Sequence, residues 1–162
     1  MAFSPDMKYL AVSAEETPTI RVFDLNTRSL AKEVRREFYN SRVTSIHFHK
    51  DQSRWLLISD DMGDCEIFFT KEMTKKELEL CTVKNRRSSL RFLSFISGYF
   101  DSEWSFAFHH NNEEFQCKSR FLGDGTFVII SKNGYWSHLT FDMLFGGSCY
   151  EVKETQNFIT SY

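Results

Sequence analysis

The sequence predicts an all-β fold, a partial β-propeller of about three four-stranded blades, on three observations. Seventeen of the 162 residues are Phe, whereas only seven are Gly and two are Pro, and this composition favours a packed, β-rich body. One pattern occurs three times: Phe-x-x-Asp, a short apolar run that ends in Ser, a polar turn and a second strand. The first two copies begin at Phe3 and Phe48, a separation of 45 residues, which is the period of a WD-type blade.

Each copy of the pattern predicts two strands joined by a turn. The apolar runs are YLAVS ending at Ser13, WLLIS ending at Ser59 and FVIIS ending at Ser131, and the second strands are TIRVFD, CEIFF and YWSHLTFD. Because the runs are apolar at successive positions, we expect inner strands that neighbouring sheets cover on both faces. Asp61-Met-Gly63 and Asn133-Gly134 predict hairpin turns.

The spacing of the copies also predicts an insertion. The third copy begins at Phe121, which is 73 residues after Phe48 and so about 28 residues more than one blade period. We expect blades at 1–37, 38–110 and 111–162, with the insertion at about 71–101. Known propellers have about four to eight blades, so three cannot close a ring. The chain is therefore expected either to be a piece of a longer propeller or to assemble with something else.

The predicted insertion contains a basic and then apolar stretch from Lys84 to Trp104. Its cations are Lys84, Arg86, Arg87 and Arg91, and its bulky apolar residues are Leu90, Phe92, Leu93, Phe95, Ile96, Tyr99 and Phe100. Several of the apolar residues fall on one face of a helix. Cations beside apolar groups are typical of a segment that docks on an anionic membrane surface. The alternative is a core strand or helix with a solvated basic flank.

Other features of the sequence exclude several classes of function. The formal net charge of −2 gives no basic footprint for nucleic acid. The four Cys contain no CxxC pair, which predicts reduced thiols, and His47 and His49 lack a third ligand, which predicts no metal site. We find no catalytic or cofactor-binding motif, and expect the protein not to be an enzyme. No signal peptide or spanning segment is evident, so we expect a cytoplasmic protein.

Three passages resemble the PROPPIN family of β-propellers, which includes the WIPI proteins. TIRVFDLNTRSLAKEVRRE carries Val34-Arg35-Arg36-Glu37 where the family has its paired-arginine signature. NRRSSL from Asn85 and DSEWSFAF from Asp101 are similar to a long family insertion and its following strand, and SKNGYWSHLTFD is similar to the last blade. The resemblance covers nearly the whole chain. It corresponds to the last three of seven blades, with 1–37 as the fifth.

The resemblance implies binding of phosphatidylinositol 3-phosphate and 3,5-bisphosphate, and a role in autophagosome formation. It assigns Arg35 to one head-group site, with Thr19 and Arg21, and Arg36 to a second site, with Ser59. Adjacent residues of a strand point to opposite faces and alternate residues share one, so two successive Arg can serve two sites. The implied partners are phosphoinositide-containing membranes and autophagy proteins, including a lipid-transfer protein. The implied location is peripheral, on pre-autophagosomal or endosomal membranes.

The chain departs from the family pattern near the second site. Glu37 replaces a Gly, Tyr39 replaces a His, and Asp64 replaces a hydroxyl residue. Two added carboxylates repel phosphate, so these departures predict a weakened second site. The sequence is therefore also compatible with a second function. The protein would then be an interaction scaffold of the autophagy machinery whose lipid binding is weakened or lost.

Overall fold

A computed structural model describes residues 1–14, 17–37, 40–51, 54–70, 103–111 and 115–157. Within these ranges the protein is all-β and contains no helix. The described residues form thirteen strands, and the six strands predicted by the repeat are all among them. The strands are β1 (Ala2–Phe3), β2 (Tyr9–Ser13), β3 (Thr19–Asp24), β4 (Ser29–Arg35), β5 (Val43–Phe48), β6 (Trp55–Asp60), β7 (Cys65–Phe69), β8 (Ala107–His109), β9 (Cys117–Gly123), β10 (Thr126–Ser131), β11 (Tyr135–Thr140), β12 (Gly147–Ser148) and β13 (Tyr150–Asn157).

The strands form three sheets that follow one another along the chain. The first sheet has the order β1-β2-β3-β4, the second β12-β8-β7-β6-β5 and the third β13-β11-β10-β9. All pairings are antiparallel except that of β12 with β8. Each sheet contains four strands in antiparallel order, as expected of a propeller blade, and β12 adds a fifth strand to the second sheet. The all-β class predicted from the sequence is confirmed.

The two predicted hairpin turns are present, and each contains a glycine with a positive φ. Gly63 has φ +93° between β6 and β7, and Gly134 has φ +84° between β10 and β11, a region that glycine enters at no steric cost. The Asp of the repeat acts as expected at Asp6, whose carboxylate accepts a bond from the amide of Lys8, two residues on.

Two hydrophobic clusters hold the sheets together. Between the first and second sheets, Ile20 and Val22 pack with Leu56 and Phe68. Between the second and third sheets, the ring of Trp55 lies 5.1 to 5.4 Å, between centroids, from the rings of Phe69, Phe106 and Phe141. The second sheet is therefore covered on both of its faces.

The predicted burial of the three apolar runs holds only for the middle one. Every residue of β6 is buried, whereas in β2 only Ala11 is buried and β10 alternates between buried and more exposed positions. The outer two sheets each have a neighbour on one side only, so one face of each is left uncovered. The two-faced burial expected for YLAVS and FVIIS is corrected to one-faced burial.

The predicted insertion lies between two strands of one sheet. β7 ends at Phe69 and β8 begins at Ala107, and these strands pair with each other. The membrane-docking stretch from Lys84 to Phe100 lies outside the described residues. Among those described, no helix is long and apolar enough to cross a membrane.

Candidate functional site

The first candidate site is on the uncovered face of the first sheet. Ile20 and Val34 are directly paired and fully buried against the second sheet, so their neighbours Thr19, Arg21 and Arg35 face the other way. Thr19 and Arg35 are themselves cross-strand partners. The sequence prediction that Thr19 and Arg21 share a face therefore agrees with the structure, and Arg35 joins them there.

Glu33 and Trp104 each contact one of the two arginines of this site. Arg21 Nε donates to Glu33 Oε2 at 2.9 Å, and the side chain of Arg21 keeps 58% of its surface exposed. The guanidinium carbon of Arg35 lies 5.7 Å from the centroid of the Trp104 ring, a cation–π distance. The site thus combines two guanidinium groups and a hydroxyl on one accessible surface, which are donors suited to phosphate oxygens.

Glu103, which follows the predicted insertion in sequence, lies at the same place. Glu103 forms a parallel bridge with Val34, and its carbonyl accepts a bond from the amide of Arg35 at 2.7 Å. The Glu103 carboxylate also pairs with Lys32 at 2.8 Å. Residues that follow the predicted membrane stretch are therefore fixed beside Arg35, although nothing in the sequence spacing predicted this contact.

Arg36, the residue that follows β4, points to the opposite side of the first sheet from Arg35. Its side chain is 3% exposed and donates to Asp60 Oδ2 at 2.9 Å and to the Ser41 hydroxyl at 2.6 Å. The carboxylate of Glu66 is 3.8 Å from its Nε. The group assigned by resemblance to a second head-group site is thus engaged inside the protein, between the first and second sheets.

The carboxylates around Arg36 make this region acidic. Asp60 and Asp64 are buried, and the Asp60 carboxylate accepts the backbone amides of Met62 and Asp64. Burial raises the pKa of Asp60, and the nearby Asp64 adds to the rise, while Ser41, the Asp64 amide and Arg36 oppose it. Asp64 in turn contacts His110 Nδ1 at 2.7 Å. A phosphate group bound beside Arg36 would therefore have to approach three carboxylates, those of Asp60, Asp64 and Glu66.

Ser59 is also part of the interior. It is 1% exposed, and its hydroxyl bonds to Ser45 and lies 3.4 Å from the Thr44 hydroxyl. Ser45 continues the network by accepting the amide of Ser119 on the third sheet. Ser59 is therefore part of a buried hydroxyl network that reaches the third sheet through Ser45, and its predicted contact with a head group stays a prediction. Tyr39, another residue of this site, lies outside the described residues.

His47 on β5 and His49, just after β5, pack against the third sheet. His47 and His49 both contact the ring of Phe121, at 6.2 and 5.1 Å between centroids. Burial lowers the pKa of His47, with smaller contributions from Arg120 and His49. Across the described part of the chain, no three His, Cys, Asp or Glu side chains are placed to hold a metal ion.

The fold of this chain is similar to those of several solved propeller structures. Hsv2 of Kluyveromyces lactis, with complete loop 6CD, matches 98% of this chain at 16% identity and a TM-score of 0.68, and 47% of that chain is covered. KlAtg21, in complex with the coiled coil of AgAtg16, matches 97% at 20% identity and a TM-score of 0.68, with 41% of that chain covered. The fold of this chain is PROPPIN-like.

Two further matches are more distant or shorter. The β-propeller domain of Cps50 (Swd1) from Myceliophteria thermophila matches 86% of this chain at 10% identity and a TM-score of 0.56, and 34% of that chain is covered. Target of rapamycin complex subunit wat1 of Schizosaccharomyces pombe is 34% identical over 68 residues, which are 42% of this chain and 21% of wat1. No family model matches the sequence. The chain thus spans about a fifth of wat1 and less than half of each of these solved propellers.

Proposed function

We propose that this chain is a phosphoinositide-binding propeller that acts in autophagosome formation. The observation that carries the proposal is the common face of Thr19, Arg21 and Arg35 on the uncovered side of the first sheet. Two guanidinium groups there can each bind phosphate through paired hydrogen bonds. The proposed ligands are phosphatidylinositol 3-phosphate and 3,5-bisphosphate, on pre-autophagosomal or endosomal membranes.

The proposed membrane contact has two parts. The first is the head-group site at Arg35, and the second is the stretch from Lys84 to Phe100, which precedes in sequence Glu103, a residue bonded to Arg35. One large apolar side chain buried in the bilayer is worth about 1.5–3 kcal/mol, and one cation near an anionic surface about 1 kcal/mol. A few of each, together with the head group, suffice for stable docking.

The first site is proposed as the principal one. Arg36 and Ser59, which the resemblance assigns to a second site, are both buried, and Arg36 is paired with Asp60. Their use in lipid binding would require the Arg36–Asp60 pair to open, at the cost of uncompensated buried charge. We therefore propose that head-group recognition in this chain depends on Arg35 more than on Arg36.

Co-sedimentation with liposomes tests this function. Vesicles with and without 3-phosphorylated lipid are compared for the unchanged chain, for Arg35→Ala and for the matched control Lys132→Ala, an exposed cation in the β10–β11 turn. Loss of charge-assisted hydrogen bonds worth about 1.5–3 kcal/mol predicts roughly tenfold or greater weakening by Arg35→Ala, only on vesicles with 3-phosphorylated lipid. Equal binding of Arg35→Ala and Lys132→Ala would disprove the site.

The same experiment separates the role of the insertion. Replacing Phe92, Phe95 and Phe100 by Ser is expected to weaken binding to both kinds of vesicle, because the apolar contribution does not depend on the head group. Unchanged binding of this triple variant would favour the alternative, in which the stretch is a core strand or helix with a solvated basic flank.

A protein-interaction scaffold is the second candidate function. It is favoured by the acidic surroundings of Arg36 and by the KlAtg21 structure, which contains a partner's coiled coil. Binding of autophagy proteins, including a coiled-coil or lipid-transfer protein, is compatible with both the phosphoinositide-binding function and the scaffold function. The scaffold is favoured alone if the chain captures such a partner while showing no preference for 3-phosphorylated vesicles.

A further inference from the structure

The loop between β11 and β12 presents two adjacent apolar side chains to solvent. Leu144 is 58% exposed and Phe145 is 77% exposed. In the part of the chain that the structure describes, no other aromatic residue is as exposed as Phe145. Because the burial of large apolar groups is favourable, two adjacent ones in water favour a contact that removes them from it.

The loop is held in this conformation by its own hydrogen bonds and by packing. The Asp142 carboxylate accepts the amides of Leu144 and Phe145 at 2.7 and 3.0 Å. The Asp142 carbonyl accepts the amide of Gly146 at 2.9 Å. Met143 points inward and packs against the core cluster of the second and third sheets. Leu144 and Phe145 are therefore a preorganised pair, whose docking costs less conformational entropy than that of a disordered segment.

The position of the loop follows from the pairing of β12 with β8. Gly147 and Ser148 pair in parallel with β8 of the second sheet. Residues that precede two parallel strands lie at the same end of the pair, so 142–146 lie beside the residues that lead into β8. Accordingly, the amide of Gly147 donates to the carbonyl of Phe106 at 3.0 Å. The loop is attached to the second sheet, and its position depends on contacts within the chain.

The head-group site lies at the same end of the second sheet. Residues 103–106 lead into β8, and both ends of this segment are bonded to a neighbour. The carbonyl of Glu103 accepts the amide of Arg35, the last residue of β4, and the carbonyl of Phe106 accepts the amide of Gly147. Three residue steps span at most about 11 Å, so one short segment connects the site and the loop. A flat surface that meets the head-group site can therefore meet the loop as well.

We infer that Leu144 and Phe145 insert into the acyl boundary of a bilayer, as an apolar contact beside the Arg35 site. This inference rests on the membrane docking of the proposed function, because docking at Arg35 brings the bilayer to the loop. A protein partner would need a recess that matches two side chains projecting from a turn, whereas the acyl boundary accepts apolar groups of any shape. The occupant is therefore a lipid surface.

The chemistry of the loop also fits a bilayer. The run from Met143 to Cys149 contains no charged residue, so insertion of its tip takes no charged side chain into the apolar region. The amides of Leu144 and Phe145 already have a partner in the Asp142 carboxylate, and insertion does not leave them unsatisfied. The tip can thus leave water without losing a hydrogen bond of these two amides.

Co-sedimentation of the full 162-residue chain with vesicles tests the inference. Vesicles of phosphatidylcholine and phosphatidylserine are prepared with and without phosphatidylinositol 3-phosphate. Leu144→Ser/Phe145→Ser is expected to weaken binding to both by roughly tenfold or more, with the preference for the 3-phosphorylated lipid unchanged. The circular dichroism spectrum is expected to stay the same, because both side chains are exposed.

The matched control removes one Phe and one Leu at the other end of the first sheet. Phe3 and Leu30 are 49% and 50% exposed, and they lie at the end of the sheet opposite to Arg35. Phe3→Ser/Leu30→Ser is therefore expected to bind both kinds of vesicle as the unchanged chain does. Equal weakening by the two double variants would overturn the inference, because it would show no special contact at the loop.

Fluorescence measures the insertion directly. Phe145→Trp and Phe3→Trp each add one tryptophan to the three of the chain. On vesicles whose phosphatidylcholine carries bromine in its acyl chains, Phe145→Trp is expected to show more quenching than the unchanged chain, because bromine quenches tryptophan at close range. Phe3→Trp is expected to show no such increase. Absence of added quenching in Phe145→Trp would overturn the insertion.

The outcomes distinguish this inference from the head-group site. If Leu144→Ser/Phe145→Ser weakens binding to both kinds of vesicle while Arg35→Ala has no effect, the loop contact stands and the head-group site fails. If this double variant binds both kinds as the unchanged chain does, the loop contact is overturned and the head-group site is unaffected. If it changes only the mass measured by light scattering, the loop is a contact between copies of the chain, which also overturns the inference.

Discussion

At the residue scale, Arg36 makes a buried polar connection between the first two sheets. Its guanidinium bonds to Asp60 and to both oxygens of Ser41, the hydroxyl and the backbone carbonyl at 2.9 Å. The Ser41 hydroxyl also donates to Asp60, which closes a three-membered network. Because Arg36 and Asp60 are both 3% exposed, the strength of this network depends on each charge keeping its partner.

Removal of Arg36 is expected to destabilise the protein strongly. Arg36→Ala leaves Asp60 buried without its cation, which costs about 3–5 kcal/mol of unfolding free energy. Arg21→Ala is the matched control, since Arg21 makes an exposed pair with Glu33 that is worth about 0–1 kcal/mol. Urea unfolding followed by tryptophan fluorescence measures both variants. Equal losses for the two would show that the Arg36 network contributes no special stability.

The sequence predicted part of the candidate site at this scale. Strand alternation is local, so it correctly put Thr19 and Arg21 on one face and Arg35 and Arg36 on opposite sides. The partners of Arg36 could not be predicted, because Asp60 is 24 residues away and is brought close only by packing of two sheets. The contact of Glu103 with Arg35 could not be predicted for the same reason, because these residues are also far apart in sequence.

At the scale of the element, β12 connects the last two sheets. Gly147 and Ser148 come after β11 of the third sheet, yet they pair in parallel with Ala107 and Phe108 of the second. Gly146 makes this crossing possible: its φ is +67°, and a Cβ there would lie 2.1 Å from the carbonyl oxygen of Phe106. The amide of Gly147 donates to that same carbonyl at 3.0 Å.

Two neighbouring glycines allow a matched test of this crossing. Gly146→Ala combines a left-handed backbone, which costs about 1–2 kcal/mol, with a backbone collision, so we expect a loss of at least about 3 kcal/mol of unfolding free energy. Gly147→Ala has φ +87° but meets nothing within 4 Å, so only the backbone cost of about 1–2 kcal/mol applies. Thermal unfolding compares them. A smaller loss for Gly146→Ala than for Gly147→Ala would contradict the close approach.

The elements themselves were largely predictable, and β12 was not. The runs YLAVS, TIRVFD and CEIFF correspond residue for residue to β2, β3 and β7, because their apolar content and flanking turns are local signals. A two-residue parallel bridge has no periodicity to detect, and its partner is 40 residues away. The insertion predicted from the repeat spacing falls between β7 and β8 in sequence, and it stays a prediction because its residues lie outside those that the structure describes.

At the scale of the whole molecule, two half-buried histidines make stability depend on pH. The pKa of His47 is lowered by burial, and then by Arg120 and His49. The pKa of His109 is lowered by burial, although Glu151 and Asp64 partly oppose this. The unfolded chain therefore binds more protons than the folded one once the pH falls to about 6.5 and below.

Acidification is consequently expected to weaken the fold. The unfolding free energy should fall as pH drops from 7.5 to 5.5, by at most about 1.4 kcal/mol per pH unit for each histidine. His47→Gln should reduce this slope, whereas Lys132→Gln, at an exposed position, should leave it unchanged. Urea unfolding at several pH values measures the slopes. A slope that His47→Gln leaves intact would assign the effect to other groups.

The crossing of β12 has a consequence for how the protein can be divided. The sequence repeat suggests that each blade is a module that could be deleted or transplanted on its own. However, a chain cut before Gly146 removes the strand that covers the edge of β8 in the preceding sheet. An exposed strand edge invites pairing with other chains. The unit that can be exchanged between propellers is therefore the last two sheets together, not the single repeat.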